Sequence, residues 1–377
     1  MTTPSAQPGP DPIKVGVITD LTGPLSFMGI ANANVAEMVV QDLNAEGGLL
    51  GRQLRLIVED SATDNAAAAA AGARMVDEHD VDVVLGGIYS STRQAIKGPV
   101  VDRGRKLYIY PEQYEGQECH PLIFCTGPVP AQQIEPLFPW LMERTGARTF
   151  YLPSADYIWP HVLNAKVREV VTARGGTIVG EEYHPLDHLD YDATVERIIA
   201  SGADVVFNTI VPPGLTPFLA TLHESGFTQR GGHVVCTYFD ENFLNLVPAE
   251  HVEGLYGCLD YYRSVADPFS TALVKDYDRR YPGGAQFTAG SACTGMYRGL
   301  RLWADAVATA GSLETETVVK ALDSGVLAEG PGGPAEMVAG QHHLRLNMYI
   351  AQARQGVFEV VEELGRVDPK ECVDGCR

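Results

Sequence analysis

Apolar residues recur along the chain in two alternating patterns from residue 13 onwards. A short continuous apolar run between turn residues predicts a buried strand, whereas apolar positions three and four residues apart predict a helix that packs on one face. The first third of the chain has predicted strands at 14–18, 54–58, 81–85 and 106–110 and predicted helices at 32–43, 66–78 and 92–103. Strict alternation of strands and helices indicates a parallel sheet with helices on both faces.

The same alternation restarts in the second third of the chain. Predicted strands lie at 149–152, 177–182, 204–209 and 233–236, and predicted helices at 134–143, 158–174, 193–201 and 214–226. The final third differs, with predicted helices at 268–281, 291–310 and 315–322 and hairpin-like strands at 347–353 and 356–361. Two similar α/β halves followed by helices and short strands predict two lobes, with the chain crossing between them more than once. A length of 377 residues also favours two domains.

Charge and hydropathy exclude several classes of partner. The chain has 28 Lys and Arg residues against 48 Asp and Glu residues, a formal net charge of −20. Binding to nucleic acid or to an anionic membrane needs clustered basic residues, so neither is expected as the main partner. No apolar run approaches the ~20 residues that a membrane-spanning helix needs.

The amino-terminal residues and the cysteines bear on the cellular compartment. Residues 1–12 contain four prolines and neither a basic segment nor an apolar one, which predicts a disordered leader rather than a secretory signal. Seven scattered cysteines are an odd number and predict free, reduced thiols. We therefore expect a cytoplasmic protein, the alternative being an extracytoplasmic one whose signal was missed.

Motif searches exclude common catalytic and cofactor sites. The sequence has no phosphate-binding loop, no H-E-x-x-H and no G-x-S-x-G, and no G-x-G-x-x-G follows the first predicted strand. Cys372 and Cys376 have no second pair at zinc-finger spacing, and His342-His343 is expected at the surface, so no metal site is predicted. No nucleophile–base pair can be argued from the sequence, which disfavours an amidase or esterase. No cofactor is expected.

Polar residues gather where predicted strands end and helices begin. Ser90, Ser91 and Thr92 follow the third predicted strand, and three hydroxyls exceed what capping one helix needs. Hydroxyls at a helix start can bind a carbonyl or carboxylate oxygen, so ligand contact is predicted there. Tyr157 and Trp159 follow the first strand of the second half and predict a lid over a small ligand, core packing being the alternative.

Ordered short segments resemble a known superfamily. Residues 47–54, 90–93 and 126–133 are similar to the type I periplasmic binding-protein superfamily, which is Leu/Ile/Val-binding-like. Three segments resemble the amide- and urea-binding branch of this superfamily. They are Tyr-Glu-Gly at 114–116, residues 154–160, and Val-Phe-Asn-Thr at 206–209. That branch contains urea and short-chain amide receptors of ABC importers and the cytoplasmic amide sensor of the aliphatic amidase operon. The resemblance extends from about Ile13 to Val361.

The resemblance implies a two-lobed fold that closes on a ligand. It implies two doubly wound, three-layer α/β/α lobes joined by a three-strand hinge, with crossings near 126–131, 256–262 and 343–347. The implied organisation is a leader at 1–12, a first lobe at 13–128 and 260–344, a second lobe at 129–259 and 345–365, and a tail at 366–377.

The resemblance also implies ligand contacts and a function. It makes Ser90 a polar contact, Tyr157 a lid aromatic and Thr209 a contact from the second lobe. The predicted ligand-binding residues are Ser90, Ser91, Glu112, Tyr157, Trp159, Thr209, Tyr238 and Asp240. The branch does not usually carry an acid at the position of Glu112. A carboxylate there favours a ligand with more hydrogen-bond donors than acetamide. The alternative is that Glu112 is solvated or paired within the protein.

The expected function is non-enzymatic binding of a small amide, urea-like or amino-acid-like molecule. We expect a cytoplasmic ligand sensor that acts through a partner such as an antiterminator-type regulator. The alternative is the receptor of an ABC importer, with a permease as its partner. Self-association is suggested only by the resemblance.

Overall fold

The protein is an α/β structure built on one mixed sheet. The structure is a computed structural model that describes residues 11–288 and 293–376. The strands are β1 Ile13–Thr19, β2 Leu54–Asp60, β3 Val83–Gly86, β4 Leu107–Tyr110, β5 Ile123–Cys125, β6 Thr149–Ala155, β7 Thr177–His184, β8 Val205–Phe207, β9 His233–Val235, β10 Tyr256–Leu259, β11 Val326–Leu327, β12 Ala335–Val338, β13 His343–Arg354 and β14 Val357–Val367. The helices are α1 Ser26–Ala45, α2 Asn65–Asp77, α3 Ser90–Lys97, α4 Pro130–Thr145, α5 Ile158–Thr172, α6 Asp192–Ser201, α7 Leu215–Glu224, α8 Glu241–Leu244, α9 Pro268–Arg280, α10 Thr294–Ala310 and α11 Thr315–Leu322.

The sheet has two parallel halves joined by one long strand. Its strand order is β2-β1-β3-β4-β5-β13-β10-β9-β8-β6-β7. The strand β13 pairs with β5 in parallel and with β10 in antiparallel orientation, and so connects the halves. We call β1–β5 with their helices the first lobe and β6–β10 with theirs the second lobe. The α/β, doubly wound prediction is confirmed, while the predicted lobe boundaries stay predictions.

Each half reverses its strand order once. In the first lobe the reversal lies between β1 and β3, and in the second lobe between β6 and β8. Ligands of open α/β sheets bind beyond the carboxyl ends of the strands at such a reversal. Gly86 at the end of β3 has φ +114°, and a Cβ there would lie 2.0 Å from the Ile18 carbonyl oxygen, so the turn that leads out of β3 requires glycine.

The described elements differ from the predicted ones mainly at their ends. Helix α3 ends at Lys97 and gives way to a wider π-helical turn at Gly98–Arg103, because Pro99 cannot donate a helical hydrogen bond. The short strand β5 was not predicted. The predicted leader up to residue 10 and the predicted helix start at Ser291 lie outside the described residues. Among the described helices, none has the length and apolar character needed to cross a bilayer.

Two predictions about the carboxyl-terminal region are wrong. Cys119 and Cys372 form a disulfide, so not all seven thiols are free, and five cysteines remain as thiols. His342 and His343 are buried rather than at the surface, because His343 begins β13, His342 directly precedes it, and their rings stack on Tyr114 and Phe124, respectively.

The disulfide holds the tail against the segment that follows β4. The Glu371 carboxylate accepts a hydrogen bond from the backbone N–H of Gln117 at 2.8 Å, two residues before Cys119. The sulfur of Cys376 lies within 4.8 Å of both disulfide sulfurs. Since those two sulfurs are bonded to each other, this three-sulfur cluster offers one thiol rather than three metal ligands.

Candidate functional site

A small cavity lies between the two lobes. Its lining residues are Leu25, Met28, Ile88, Tyr89, Ser90, Glu112, Gln113, Tyr157, Trp159, Val211, Tyr238 and Phe243. They belong to the segments that follow β1, β3 and β4 in the first lobe and β6, β8 and β9 in the second. The space open to the centre of a water-sized sphere is about 50 Å³. This leaves room for roughly three to five waters, and it is about a third of the ~150 Å³ of a cavity that binds benzene.

The two lobes touch each other around this cavity. The Tyr89 hydroxyl donates a hydrogen bond to the carbonyl oxygen of Pro212 at 3.3 Å. The rings of Tyr89 and Tyr157 lie 5.5 Å apart, and the rings of Phe27 and Phe243 lie 5.2 Å apart. Each of these contacts joins the first lobe to the second, so the structure describes a closed arrangement.

The first-lobe side of the cavity, which we call the polar wall, is fixed by a buried ion pair. The Ser90 hydroxyl donates to one carboxylate oxygen of Glu115, and Arg93 donates to the other at 2.8 Å. The Arg93 guanidinium lies over the rings of Tyr110 and Tyr114, at 4.9 and 4.6 Å. Burial alone would lower the pKa of Arg93, but the Glu115 carboxylate holds it above its ordinary value, so Arg93 stays charged.

Glu112 and Gln113 complete the polar wall. Glu112 is 1% exposed, and its carboxyl group accepts a hydrogen bond from the Asn32 side-chain amide at 3.0 Å. The side-chain amide oxygen of Gln113 accepts a hydrogen bond from the side-chain N–H of Gln133 at 2.8 Å. The expectation that Glu112 could turn to solvent at the cleft mouth is therefore wrong, because the carboxyl group is enclosed.

The second-lobe side, which we call the aromatic wall, is built from packed rings. The Trp159 ring stacks near Tyr157 at 6.2 Å and meets the Tyr238 ring edge-on at 5.6 Å. Tyr238 in turn contacts Phe243 at 5.1 Å. Burial raises the pKa of the Tyr157 hydroxyl well above its usual value, so it keeps its proton. The indole N–H of Trp159 is buried and has no hydrogen-bond partner among the described residues.

Two helices begin at the cavity. Helix α3 starts at Ser90 and α5 starts at Ile158, beside Tyr157 and Trp159. The first N–H groups of a helix lack partners within it and carry partial positive charge, which stabilises carbonyl and carboxylate oxygens. The site therefore combines hydrogen-bond donors, one carboxyl group and a large apolar surface, which suits a small amphipathic molecule.

Five of the eight predicted site residues line the cavity, and three do not. Ser90, Glu112, Tyr157, Trp159 and Tyr238 lie together in its lining. The three outside the lining are Ser91, Thr209 and Asp240. Whether any of the eight binds a ligand stays a prediction.

The three residues outside the lining have different surroundings. Ser91 follows Ser90 on α3 and is half-buried. Thr209 lies next to β6, where its backbone N–H donates to the Pro153 carbonyl oxygen at 3.1 Å. Asp240 caps α8 by accepting from the backbone N–H groups of Asn242 and Phe243, and burial raises its pKa to about 6.

Seven lining residues were not on the predicted list. They are Leu25, Met28, Ile88, Tyr89, Gln113, Val211 and Phe243. Six are apolar or aromatic, and a sequence gives no signal that separates an apolar residue at a cavity from one in the core. Gln113 had a usable signal, because it directly follows the predicted contact Glu112 at a strand end.

Comparison with protein families matches nearly the whole chain. The model of a family described as "Periplasmic binding protein" matches residues 12–357. The Leu/Ile/Val-binding protein of Escherichia coli (strain K12) is 33% identical over 92 residues, which is 24% of this chain. That similarity spans 25% of the length of the E. coli protein.

Solved structures share the fold at low sequence identity. An amino acid ABC transporter substrate-binding protein from Pseudomonas fluorescens Pf-5 has a TM-score of 0.85 and 20% identity, covering 98% of this chain and 99% of that one. A solute-binding protein of an ABC transporter from Rhodopseudomonas palustris BisB5, in complex with 3,4-dihydroxybenzoic acid, has a TM-score of 0.82 and 20% identity, covering 96% and 99%. Similarity at this identity establishes the fold.

Proposed function

Because the chain belongs to the periplasmic binding-protein family, a family of binding proteins rather than enzymes, we propose that it is the substrate-binding component of an ABC importer. Its ligand is a small amphipathic molecule, either an amino acid or an aromatic acid. The polar head lies against the polar wall and the start of α3, and the apolar body packs against the aromatic wall. One observation carries this assignment, namely a closed inter-lobe cavity in which Ser90, Glu112 and Gln113 of the first lobe lie opposite aromatic residues of the second lobe.

The cavity lining supports this ligand class. Aromatic side chains bury a large apolar area and contact ring or aliphatic ligands well. The names of similar proteins point in the same direction, since one is a Leu/Ile/Val-binding protein and another was solved with 3,4-dihydroxybenzoic acid.

The disulfide supports an extracytoplasmic location. Disulfides persist in oxidising compartments and are rare in the cytoplasm. The bridge between Cys119 and Cys372 joins positions 253 residues apart and ties the tail to the polar wall. An extracytoplasmic receptor that delivers its ligand to a permease therefore forms part of the proposal.

A cytoplasmic sensor of a small amide or urea is the second candidate, as predicted from the sequence. The observation that favours it is the adjacent pair Glu112 and Gln113 in the cavity lining. Their carboxyl and amide groups can accept and donate to the N–H and C=O groups of a primary amide.

Titration calorimetry with a fixed panel tests the proposal. We expect L-leucine, L-phenylalanine or 3,4-dihydroxybenzoate to bind, and acetamide and urea to bind more weakly or not at all. Tyr157→Ala should weaken binding roughly 5- to 150-fold, because a buried ring and a hydroxyl donor are lost, while the melting temperature of the empty protein changes little. Tyr183→Ala is the matched control, since Tyr183 stacks on His161 away from the cavity.

The panel separates the two candidates. Preferential binding of acetamide or urea would favour the amide sensor over the importer component. If Tyr157→Ala leaves affinity intact and lowers the melting temperature sharply, Tyr157 is a core residue and the assigned site is wrong.

A further inference from the structure

Building on the proposed function, we propose that the side-chain amide of Gln113 donates a hydrogen bond to an oxygen of the ligand head group, and that Gln133 holds the amide in this donating orientation. Gln113 is then a specificity-determining residue, and Gln133 is a positioning residue that acts through it. The head group that fits is a carboxylate, with one oxygen toward the start of α3 and the other toward Gln113.

The orientation of the Gln133 amide follows from its surroundings. Its side-chain nitrogen donates to the backbone carbonyl oxygens of Thr237 at 3.0 Å and of Cys258 at 2.9 Å. A carbonyl oxygen can only accept, so the opposite orientation would place the amide oxygen of Gln133 against two other oxygens. Gln133 is fully buried, and no solvent could relieve that contact. The nitrogen of Gln133 therefore faces these carbonyl groups.

The orientation of Gln113 follows in turn. The Gln133 nitrogen also donates to the side-chain oxygen of Gln113 at 2.8 Å, so this oxygen is held by Gln133. The side-chain nitrogen of Gln113 has no hydrogen-bond partner among the described residues, and Gln113 lines the cavity. An amide nitrogen only donates. Gln113 therefore offers a ligand a donor rather than an acceptor.

Helix α3 supplies further donors at the same wall. Arg93 donates the first hydrogen bond of this helix to the Tyr89 carbonyl oxygen, so the N–H groups of residues 90–92 have no partner within the helix. Such groups stabilise carboxylate oxygens. Gln113 follows β4, which pairs with β3, so both sets of donors lie at neighbouring strand ends. The described lining contains no Lys, Arg or His, and a carboxylate at this wall depends on these neutral donors.

The bond between Gln133 and Gln113 also joins the two lobes. Gln113 follows β4 in the first lobe. Gln133 lies at the start of α4 and bonds to carbonyl groups of the second lobe, in β10 and in the segment after β9. A ligand oxygen on Gln113 is thereby one hydrogen bond away from a residue anchored in the second lobe. Gln133 therefore links recognition of the head group to the closed arrangement.

Matched pairs of a carboxylate and its primary amide test this inference by calorimetry. The pairs are L-leucine and L-leucinamide, L-phenylalanine and L-phenylalaninamide, and 3,4-dihydroxybenzoate and 3,4-dihydroxybenzamide. The amide replaces one head-group oxygen by a nitrogen that only donates, so that two donors would meet at Gln113. For the pair that binds most tightly, we expect the wild-type protein to prefer the carboxylate roughly tenfold or more.

Gln113→Glu tests the role of Gln113. The substitution keeps the length of the side chain and an oxygen for Gln133, but it removes the donor. We therefore expect the carboxylate to bind roughly 10- to 150-fold more weakly and the preference to move toward the amide. Gln229→Glu is the matched control, because it makes the same change of charge at an exposed residue outside the cavity lining, and it should keep the wild-type preference.

Gln133→Met tests the positioning role. Without the Gln133 donor, the Gln113 amide can turn either end toward the cavity, so we expect the preference for the carboxylate to shrink. Gln132→Met is the matched control, since the buried Gln132 amide donates to the carbonyl oxygens of Leu344 and Val367, and its loss should lower stability but keep the preference. Circular dichroism verifies folding. Gln133→Asn, with a side chain one methylene shorter, takes the place of Gln133→Met if that variant does not fold.

Each outcome distinguishes this inference from the proposed function. Equal affinity within the tightest-binding pair, a wild-type preference for the amide, or a preference that Gln113→Glu leaves intact would overturn the role of Gln113, while binding of the panel ligands keeps the proposed ligand class. A preference that a folded Gln133 variant retains, or that Gln132→Met reduces equally, would overturn the positioning role of Gln133. Absence of binding by all six ligands would overturn the proposed ligand class and the inference with it.

Discussion

The two walls of the cavity are built in different ways. In the polar wall, Ser90 and Arg93 are joined to Glu115 by hydrogen bonds, and a disulfide ties the same segment to the tail. In the aromatic wall, Tyr157 and Trp159 meet their neighbours mainly through ring contacts, and Tyr238 adds hydrogen bonds of its hydroxyl group to Ile210 and Asn208. The first wall is therefore held by directional bonds, and the second mainly by packing.

This difference assigns different tasks to the two walls. Directional bonds fix the positions of polar atoms, which suits recognition of the ligand head group. Ring contacts are less directional and tolerate small displacements, which suits a surface that covers the apolar part of a ligand as the lobes close. Changes in the polar wall should thus alter stability and selectivity, and changes in the aromatic wall should mainly alter affinity.

Arg93→Met should have the largest effect of these variants on the stability of the polar wall. It leaves the buried carboxylates of Glu115 and Glu118 without their central cation, and removal of one partner from a buried ion pair costs about 3–5 kcal/mol of unfolding free energy. Urea unfolding measures the change. Arg103→Met is the control, since its pair with Asp77 is exposed and its loss should not be measurable. Equal unfolding midpoints for the two variants would contradict a structural role for the buried cluster.

Removal of the disulfide is the second test of the polar wall. The double variant Cys119→Ser, Cys372→Ser should lose about 2–4 kcal/mol, because the bridge closes a long loop. Cys376→Ser is the control for loss of a nearby cysteine outside the bridge. Thiol titration of the denatured, unreduced wild type should give five thiols. A count of seven would show that the bridge does not form.

Glu241→Gln tests, through pH, the buried acid that begins α8, the helix that carries the lining residue Phe243. Burial, with a smaller contribution from the Asp240 charge, raises the pKa of Glu241 to about 7. Because the folded protein holds this proton more tightly than the unfolded chain, its contribution to stability is present at low pH and is lost as pH rises from about 4.5 through 7.

The variant should therefore be more stable than wild type at pH 8 by about 1–3 kcal/mol, with little difference near pH 4. Denaturant unfolding at both pH values measures this change. The exposed Glu196→Gln is the control in the same lobe. An equal difference at pH 4 and pH 8 would exclude titration of Glu241 as the cause.

Trp159→Phe should have the smallest effect and act on binding. An aromatic ring is kept, but the buried indole N–H of this lining residue is lost, so we expect roughly tenfold weaker binding of a carboxylate ligand that accepts from it, about 1.4 kcal/mol. Trp140→Phe is the matched control, because its N–H donates to Glu362 outside the cavity. Similar affinities for the two variants would place the ligand carboxylate elsewhere.

Much of the fold was predictable because hydrophobic periodicity reflects burial. The strand predicted at 81–85 corresponds to β3, whose residues Val83, Val84 and Leu85 are fully buried. Element ends were less predictable. Ser90 and Ser91 read equally well as a cap or as helix, and the three-residue strand β5 is too short to show a period.

The site was predictable only where polar residues mark strand ends. Ser90 and Glu112 were found in this way, whereas Phe243 and Met28 have the signature of ordinary core residues. The position of Asp240 outside the cavity lining could not be foreseen, because its carboxylate caps a short helix that no periodicity reveals. The Cys119–Cys372 bridge joins residues 253 positions apart, and cysteine spacing alone does not determine such a pairing.

A crystal structure with the tightest-binding member of the calorimetric panel tests the central claim most directly. We predict density for the ligand in the inter-lobe cavity, with its polar head at hydrogen-bond distance from the polar wall at Ser90 and Glu112 and its apolar body against Tyr157 and Trp159. A ligand bound outside this cavity, or one whose apolar body lies against Ser90 and Glu112, would contradict the account.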